Sequence, residues 1–300
     1  MLYLFVHITA ANLFALVTRY AHGTRMTFFT VGAVNYATGM LGALIWATLD
    51  GGLDFEWPAM GFGLVQGLVY QSMYIVLFAM IALGGLSVSF TINRLSIAIP
   101  IAGGILLWGE APSAMRFAGI LVSFVALPLI GSDAQRVARR TGASSRLMPL
   151  LTLYAIVSLG ISGLAARAFV ETAVAAEPID LSAFTFMAAT VASVVTWPLV
   201  GRLARGDALR RGEPAPRPSR RAQTRAVIVG ILLGLLNLLQ SVAMVGALFE
   251  LPASFVFPFI STSALLILTA VDYLVWKQRF GRLTLVGMVL SAFTIVAINL

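Results

Sequence analysis

Arg94 sits about eight residues into an apolar run, flanked by Ile92, Leu95, Ile97 and Ile99. A guanidinium at hydrocarbon depth costs several kcal/mol unless it faces water or finds a partner, so it points to a site. Two chemistries fit it. One is an anion clamp, in which the planar fork takes a solute carboxylate or phosphate. The other is a structural bond to helix-end carbonyls or to an acid on another helix. Asn93 beside it points about 100° away on a helix, so the two need not share one ligand.

The remaining intramembrane polar groups are neutral and fall into stripes. Gln66, Tyr70 and Tyr74 share a helix face, with Gln71 beside them; Asn237 and Ser241 share another, with Gln240 close by; Asn35 and Tyr36 stand in the second apolar run. Amides facing lipid are expensive, so these stripes either line a solvated path or bond helices to one another. Pro100 and Pro258 interrupt the fourth and ninth runs, and each frees a carbonyl one turn upstream, either to line a site, as broken helices of transporters do, or as a purely structural kink. Around Pro258 the residues Ser254, Ser261, Thr262 and Ser263 form a polar stretch; such hydroxyls either bond their own backbone or meet a solute. Two groups are candidates for ion coupling. His7 is embedded in the first run, as a proton relay or as a hydrogen-bonded core histidine. Asp272 is near the end of the ninth, where a salt bridge to Lys277 or Arg279 competes with a relay. Glu110 is placed to cap a helix-to-helix turn at the outer surface.

These residues need helices in a bilayer to hold them. Of the 300 residues 59% are apolar and 11% charged, with a mean hydropathy of +0.94; a typical soluble domain carries about a quarter charged residues. Ten runs of membrane-spanning length cover approximately 1–19, 27–49, 58–83, 86–109, 114–131, 148–170, 181–200, 226–249, 252–276 and 282–299. Alternate loops hold 17 of the 20 basic residues, while the opposite loops hold Arg116 and most of the acids. The positive-inside rule makes the basic side cytoplasmic and both termini extracytoplasmic. The basic loop 201–225, with Pro214, Pro216 and Pro218, reads as a solvated linker against anionic lipid. The net charge of +8 is spread over short clusters between apolar runs, which argues against a nucleic-acid partner. The partners implied are the lipid bilayer and a small-molecule solute, and the apolar exterior allows a monomer or a homodimer. One lysine against 19 arginines points to a bacterial gene of high GC content, and so to the plasma (inner) membrane.

The chain also repeats itself. Gly63 and Gly67 echo Gly230 and Gly234, and both pairs read as close helix packing rather than a nucleotide loop. Ser89-Phe90 echoes Ser254-Phe255. Leu107-Trp108-Gly109-Glu110 with Gly119 and Ser123 echoes Val275-Trp276-Lys277-Gln278 with Gly287 and Ser291. Five helices per half is an odd number, so the second half enters from the opposite face. The expected fold is therefore an all-α integral membrane protein with ten transmembrane helices in two inverted five-helix repeats. These are residues 1–131 and 148–300, joined by a basic cytoplasmic connector at 132–147.

The stretch from Ser87 to Gly119, SVSFTINRLSIAIPIAGGILLWGEAPSAMRFAG, resembles the EamA-type repeat of the drug/metabolite transporter superfamily. The second copy, from ASFVFPFISTSALL through WKQRFGRLTLVG, is similar to its partner repeat. The resemblance spans essentially the whole chain and implies a ten-helix secondary transporter of small metabolites. Two features depart from that pattern: Gln278 stands where glutamate is usual, and the charge count places outside the termini that better-described members keep in the cytoplasm.

The expected function is thus non-ATP transport of small organic anions or zwitterions by alternating access. An exporter of drug-like cations would want an embedded carboxylate, and a non-transporting membrane scaffold subunit would have no use for polar stripes. Two histidines, no cysteine and scattered acids supply neither a metal centre nor an acid/base pair, so an enzyme is not expected, and nothing calls for a cofactor. No P-loop is present.

Overall fold

The computed structural model describes residues 1–23, 28–84, 96–130, 148–210, 219–274, 277 and 281–299. Every regular element among them is an α-helix: α1 (Leu2–Gly23), α2 (Phe28–Leu49), α3 (Trp57–Gly84), α4 (Ala98–Leu107), α5 (Ala114–Ile130), α6 (Met148–Thr172), α7 (Pro178–Arg210), α8 (Arg220–Glu250), α9 (Ala253–Leu274) and α10 (Arg282–Asn299). Seven of them, α1–α3 and α6–α9, are long and apolar enough to cross a membrane; α4, α5 and α10 carry shorter apolar segments. The protein is therefore membrane-embedded by the length and composition of its helices.

Two of the helices run past their apolar segments. α7 continues to Arg210 and α8 begins at Arg220, so much of the basic stretch at 201–225 is helical rather than linker. Arginine is a good helix former, and the described parts of the stretch, 201–210 and 219–225, hold no proline. In the fourth run a turn at Ser96–Ile97 precedes α4, which puts Pro100 in the first helical turn, where its missing N–H costs nothing. In contrast, α9 continues through Pro258, leaving the Ser254 carbonyl without its helical donor.

The chain divides into two compact units, each drawing on both halves of the sequence: residues 1–12, 72–172 and 243–300 in the first, 13–71 and 173–242 in the second. In the first unit α5 packs along α10, and α9 packs against α4, α5 and α10. Its core gathers Leu4, Ile8, Ile101, Leu127, Val256 and Ile260, among others, and α9 is the most buried membrane helix. Small residues bring the helices close: Gly160 faces Ile99, and Gly163 faces Pro100 and Phe257.

In the second unit α2 packs along α7, and glycines on α3 and α8 set the closest approaches. A Cβ at Gly63 would meet Phe184 Cβ at 2.5 Å and the Leu181 carbonyl at 3.2 Å, and one at Gly67 would meet the Thr185 carbonyl and Ala188 Cβ. On the other side, a Cβ at Gly230 would meet Val34 Cβ at 2.7 Å and the Val31 carbonyl at 3.0 Å, and one at Gly234 the Asn35 carbonyl and Thr38 Cβ. The Cβ and carbonyl contacts of α3 on α7 thus have their counterparts in α8 on α2. Without a hydrophobic force between helices in lipid, close backbone approach of this kind is what holds them.

Candidate functional site

The second unit contains several groups of hydrogen-bonded neutral polar side chains, most of them buried. α2 supplies Asn35 and Tyr36, α3 supplies Gln66, Tyr70 and Gln71, α7 supplies Ser182, Thr185 and Thr196, and α8 supplies Asn237, Gln240 and Ser241. Most are less than a tenth exposed. Asn237 Nδ2 donates to Asn35 Oδ1 at 3.4 Å, and Gln240 Nε2 donates to Asn237 Oδ1 at 2.8 Å. Thr185 Oγ1 donates to Gln66 Oε1 at 3.1 Å, and the Ser182 and Ser241 hydroxyls share a bond of 3.0 Å. The Tyr36 hydroxyl donates to the Tyr70 carbonyl at 2.8 Å; the Tyr70 phenol in turn bonds the Ser241 hydroxyl, and its ring meets Phe186 edge-on at 6.3 Å. Gln71 Nε2 donates to Thr196 Oγ1 at 2.7 Å, while Gln71 Oε1 is buried without a partner. Chemically these are donors and acceptors paired with one another in an apolar medium, where a group left without a partner would be costly.

Of the residues singled out from the sequence, Asn35, Gln66, Tyr70 and Asn237 belong to these groups. Ser261 belongs to the first unit, buried on α9 one turn from Pro258, whose carbonyl accepts from Thr262 Oγ1 at 2.6 Å. Pro100 is buried in the same unit, and His7 is half-buried on α1. Asp272 lies in the last turn of α9 by its backbone. Arg94 and Asn93 lie outside the described residues.

A second constellation, charged this time, stands in the first unit. Gly109 takes a left-handed backbone (φ 64°) after α4, and the Glu110 N–H closes the turn on the Gly104 carbonyl at 3.0 Å. The Glu110 side chain folds back over Gly104, where a Cβ would lie 2.9 Å from the carboxyl carbon. Its two oxygens accept from the backbone N–H groups of Ala253 and Ser254, both at 2.8 Å, at the start of α9. Arg167 on α6 lies 3.3 Å from Glu110 Oε1; it also pairs with Glu171 one turn along its own helix and donates to the Leu248 carbonyl at 3.1 Å. Glu110 and Arg167 are 7% and 11% exposed, so the pair is largely out of water. Glu110 does cap a helix end, that of α9. The sequence reading passed over Arg167, whose signal was available: an arginine inside the run 148–170 with a glutamate four residues later.

Two further carboxylates tie loops in the second unit. Asp180 accepts from the N–H groups of Asp54 at 3.0 Å and Glu177 at 2.7 Å. Glu56, partly exposed, accepts from the N–H groups of Val174 at 3.0 Å and Ala175 at 2.7 Å. The Val174 N–H first, then that of Ala175, holds the Glu56 carboxyl below its ordinary 4.5. The charged form is therefore favoured in the fold, so the tie is complete above 4.5 and is lost as pH falls through the lowered value. Protection of the Val174 and Ala175 amides, their exchange rate relative to the intrinsic rate at each pH, is expected to fall on acidification below that range, and Glu56→Gln to show low protection at neutral pH and no such dependence.

No family model matches the chain, and no curated protein matches it. A solved crystal structure of a protein superposes with a TM-score of 0.70 over 99% of this chain and 98% of that one, at 15% identity. At that identity the likeness shows the fold alone.

Proposed function

We propose that the protein is a secondary transporter of small organic metabolites, favouring anionic or zwitterionic solutes, that works by alternating access between two inverted five-helix repeats. The observation that carries the reading is the matched set of glycine contacts. First-half α3 sits on second-half α7 as second-half α8 sits on first-half α2, which is the exchange a two-fold axis produces. The pairs α2 with α7, α4 with α9 and α5 with α10 each join the same member of the two halves. The turn after Trp108, left-handed at Gly109, has its counterpart at Lys277, also left-handed (φ 51°). Repeats related by an in-plane two-fold are a transporter architecture, in which the solute binds near the midplane and rocking alternates its access.

Paired amides and hydroxyls buried on α2, α3, α7 and α8 in the second unit supply uncharged groups such a pathway needs, and Arg94 is the residue of the sequence suited to an anion. On the proposed orientation the protein lies in a bacterial plasma membrane with its termini outside. Thermal stabilisation of the purified protein by anionic, zwitterionic and cationic metabolites, beside Arg94→Ala, tests the solute class. A ligand at about 100 times its Kd adds about 2.7 kcal/mol. Carboxylated or phosphorylated compounds are expected to stabilise the parent and not the variant; stabilisation by cations alone, or equal responses of the two proteins, would remove the anion clamp.

A further inference from the structure

We infer that the Glu110 carboxylate is a releasable gate latch, closing the end of the first unit at which α9 begins. The inference rests on the transporter reading and says where one of its gates lies. A helix normally carries its own N-terminal cap, which travels with it. α9 does not: it is preceded by Leu251 and Pro252, and the free N–H groups of Ala253 and Ser254 are satisfied by Glu110, from the turn after α4. A cap supplied by another segment exists in one arrangement only and breaks whenever α9 moves from the α4 turn.

Two features make the break affordable. Arg167 already holds Glu171 on its own helix, so its guanidinium keeps a partner when Glu110 leaves. Glu110 itself sits on the turn that follows α4, between the exposed Gly109 and Ala111, so the backbone that carries it is at the surface. A buried ion pair is also a poor device for mere stability, since desolvation takes back what attraction gives, and its attested use is to select between arrangements. The repeat supplies a contrast: the position matching Glu110 in the second half is Gln278, which carries no charge. A charged latch thus belongs to one face of the membrane alone and biases the resting protein towards closure there.

The chain has no cysteine, so single reporters can be read without background. Ser254→Cys places a thiol beneath the latch, where the side chain is 4% exposed, and Ser123→Cys places one on α5, fully buried. Both are made in the otherwise unaltered full-length protein in lipid nanodiscs, and the rate of reaction with a charged maleimide is measured. Glu110→Gln is expected to raise labelling of the Ser254→Cys reporter by about tenfold or more and to leave the Ser123→Cys reporter unlabelled. Glu110→Asp, which keeps the charge but is too short to reach both N–H groups, serves if the first variant does not fold, and the same pattern is expected. An unchanged rate at Ser254→Cys overturns the latch. So does labelling of both reporters, because the carboxylate would then hold the fold together and gate nothing. Labelling reads opening without any solute, so a rise at Ser254→Cys in a protein that moves no solute would keep the latch and reject transport.

Discussion

Arg167→Met is expected to destabilise the protein by about 3–5 kcal/mol, the range for removing one partner of a buried ion pair. Glu110 is 7% exposed and would be left with its two backbone donors and no counter-charge. The Leu248 carbonyl would lose a donor as well. Glu110→Gln combined with Arg167→Met should recover much of the loss, because the stranded charge is gone; the difference from additivity is the measure of the pair. Thermal unfolding of the four proteins in one detergent supplies the cycle. Equal losses in Arg167→Met and the double variant would mean that the guanidinium acts through packing alone.

Gly67→Ala is expected to cost about 1–3 kcal/mol or more, the range for forcing a methyl group into a filled site. The added Cβ would strike the Thr185 carbonyl and come within 2.8 Å of the Ala189 nitrogen, and backbone atoms inside a helix cannot turn away as a side-chain tip can. Separating α3 from α7 would also stretch the bond from Thr185 to Gln66. Gly234→Ala should behave alike, since its Cβ meets the Asn35 carbonyl at 2.5 Å and Thr38 Cβ at 2.6 Å, and separating α8 from α2 would open the bond from Asn237 to Asn35. Similar losses of thermal stability in the two variants are the expected result. Full stability in either would show that the helices give way there without penalty.

The apolar runs made the helices legible, because each must satisfy its own backbone within lipid. The small residues were legible too: the spacing of Gly63 and Gly67, and its echo at Gly230 and Gly234, marks the faces on which α3 meets α7 and α8 meets α2. Less legible was how far the helices extend, since α7 and α8 continue through arginines that end an apolar run without ending a helix. The types of the polar residues on α2, α3 and α8 were readable, and their partners were not. Thr185 and Ser182 on α7 attracted no notice as single hydroxyls, yet they pair with Gln66 and Ser241 from other helices. Arg167 was visible as an arginine in an apolar run with Glu171 one turn on, but its pairing with Glu110 was not. Its meaning comes from Glu110 and from the start of α9, which are distant in sequence and meet only in the folded chain. The division into two units, each built from both halves, likewise follows from contacts that no local pattern encodes.

Solute counterflow in reconstituted liposomes is the most direct test of the transport reading. Vesicles preloaded with a compound that stabilises the purified protein, then diluted into a trace of its labelled form, should accumulate the label transiently without ATP, and vesicles bearing Arg94→Ala should not. A compound that stabilises the protein yet exchanges no faster than through protein-free vesicles would contradict it, and would leave a membrane protein that binds a solute without carrying it.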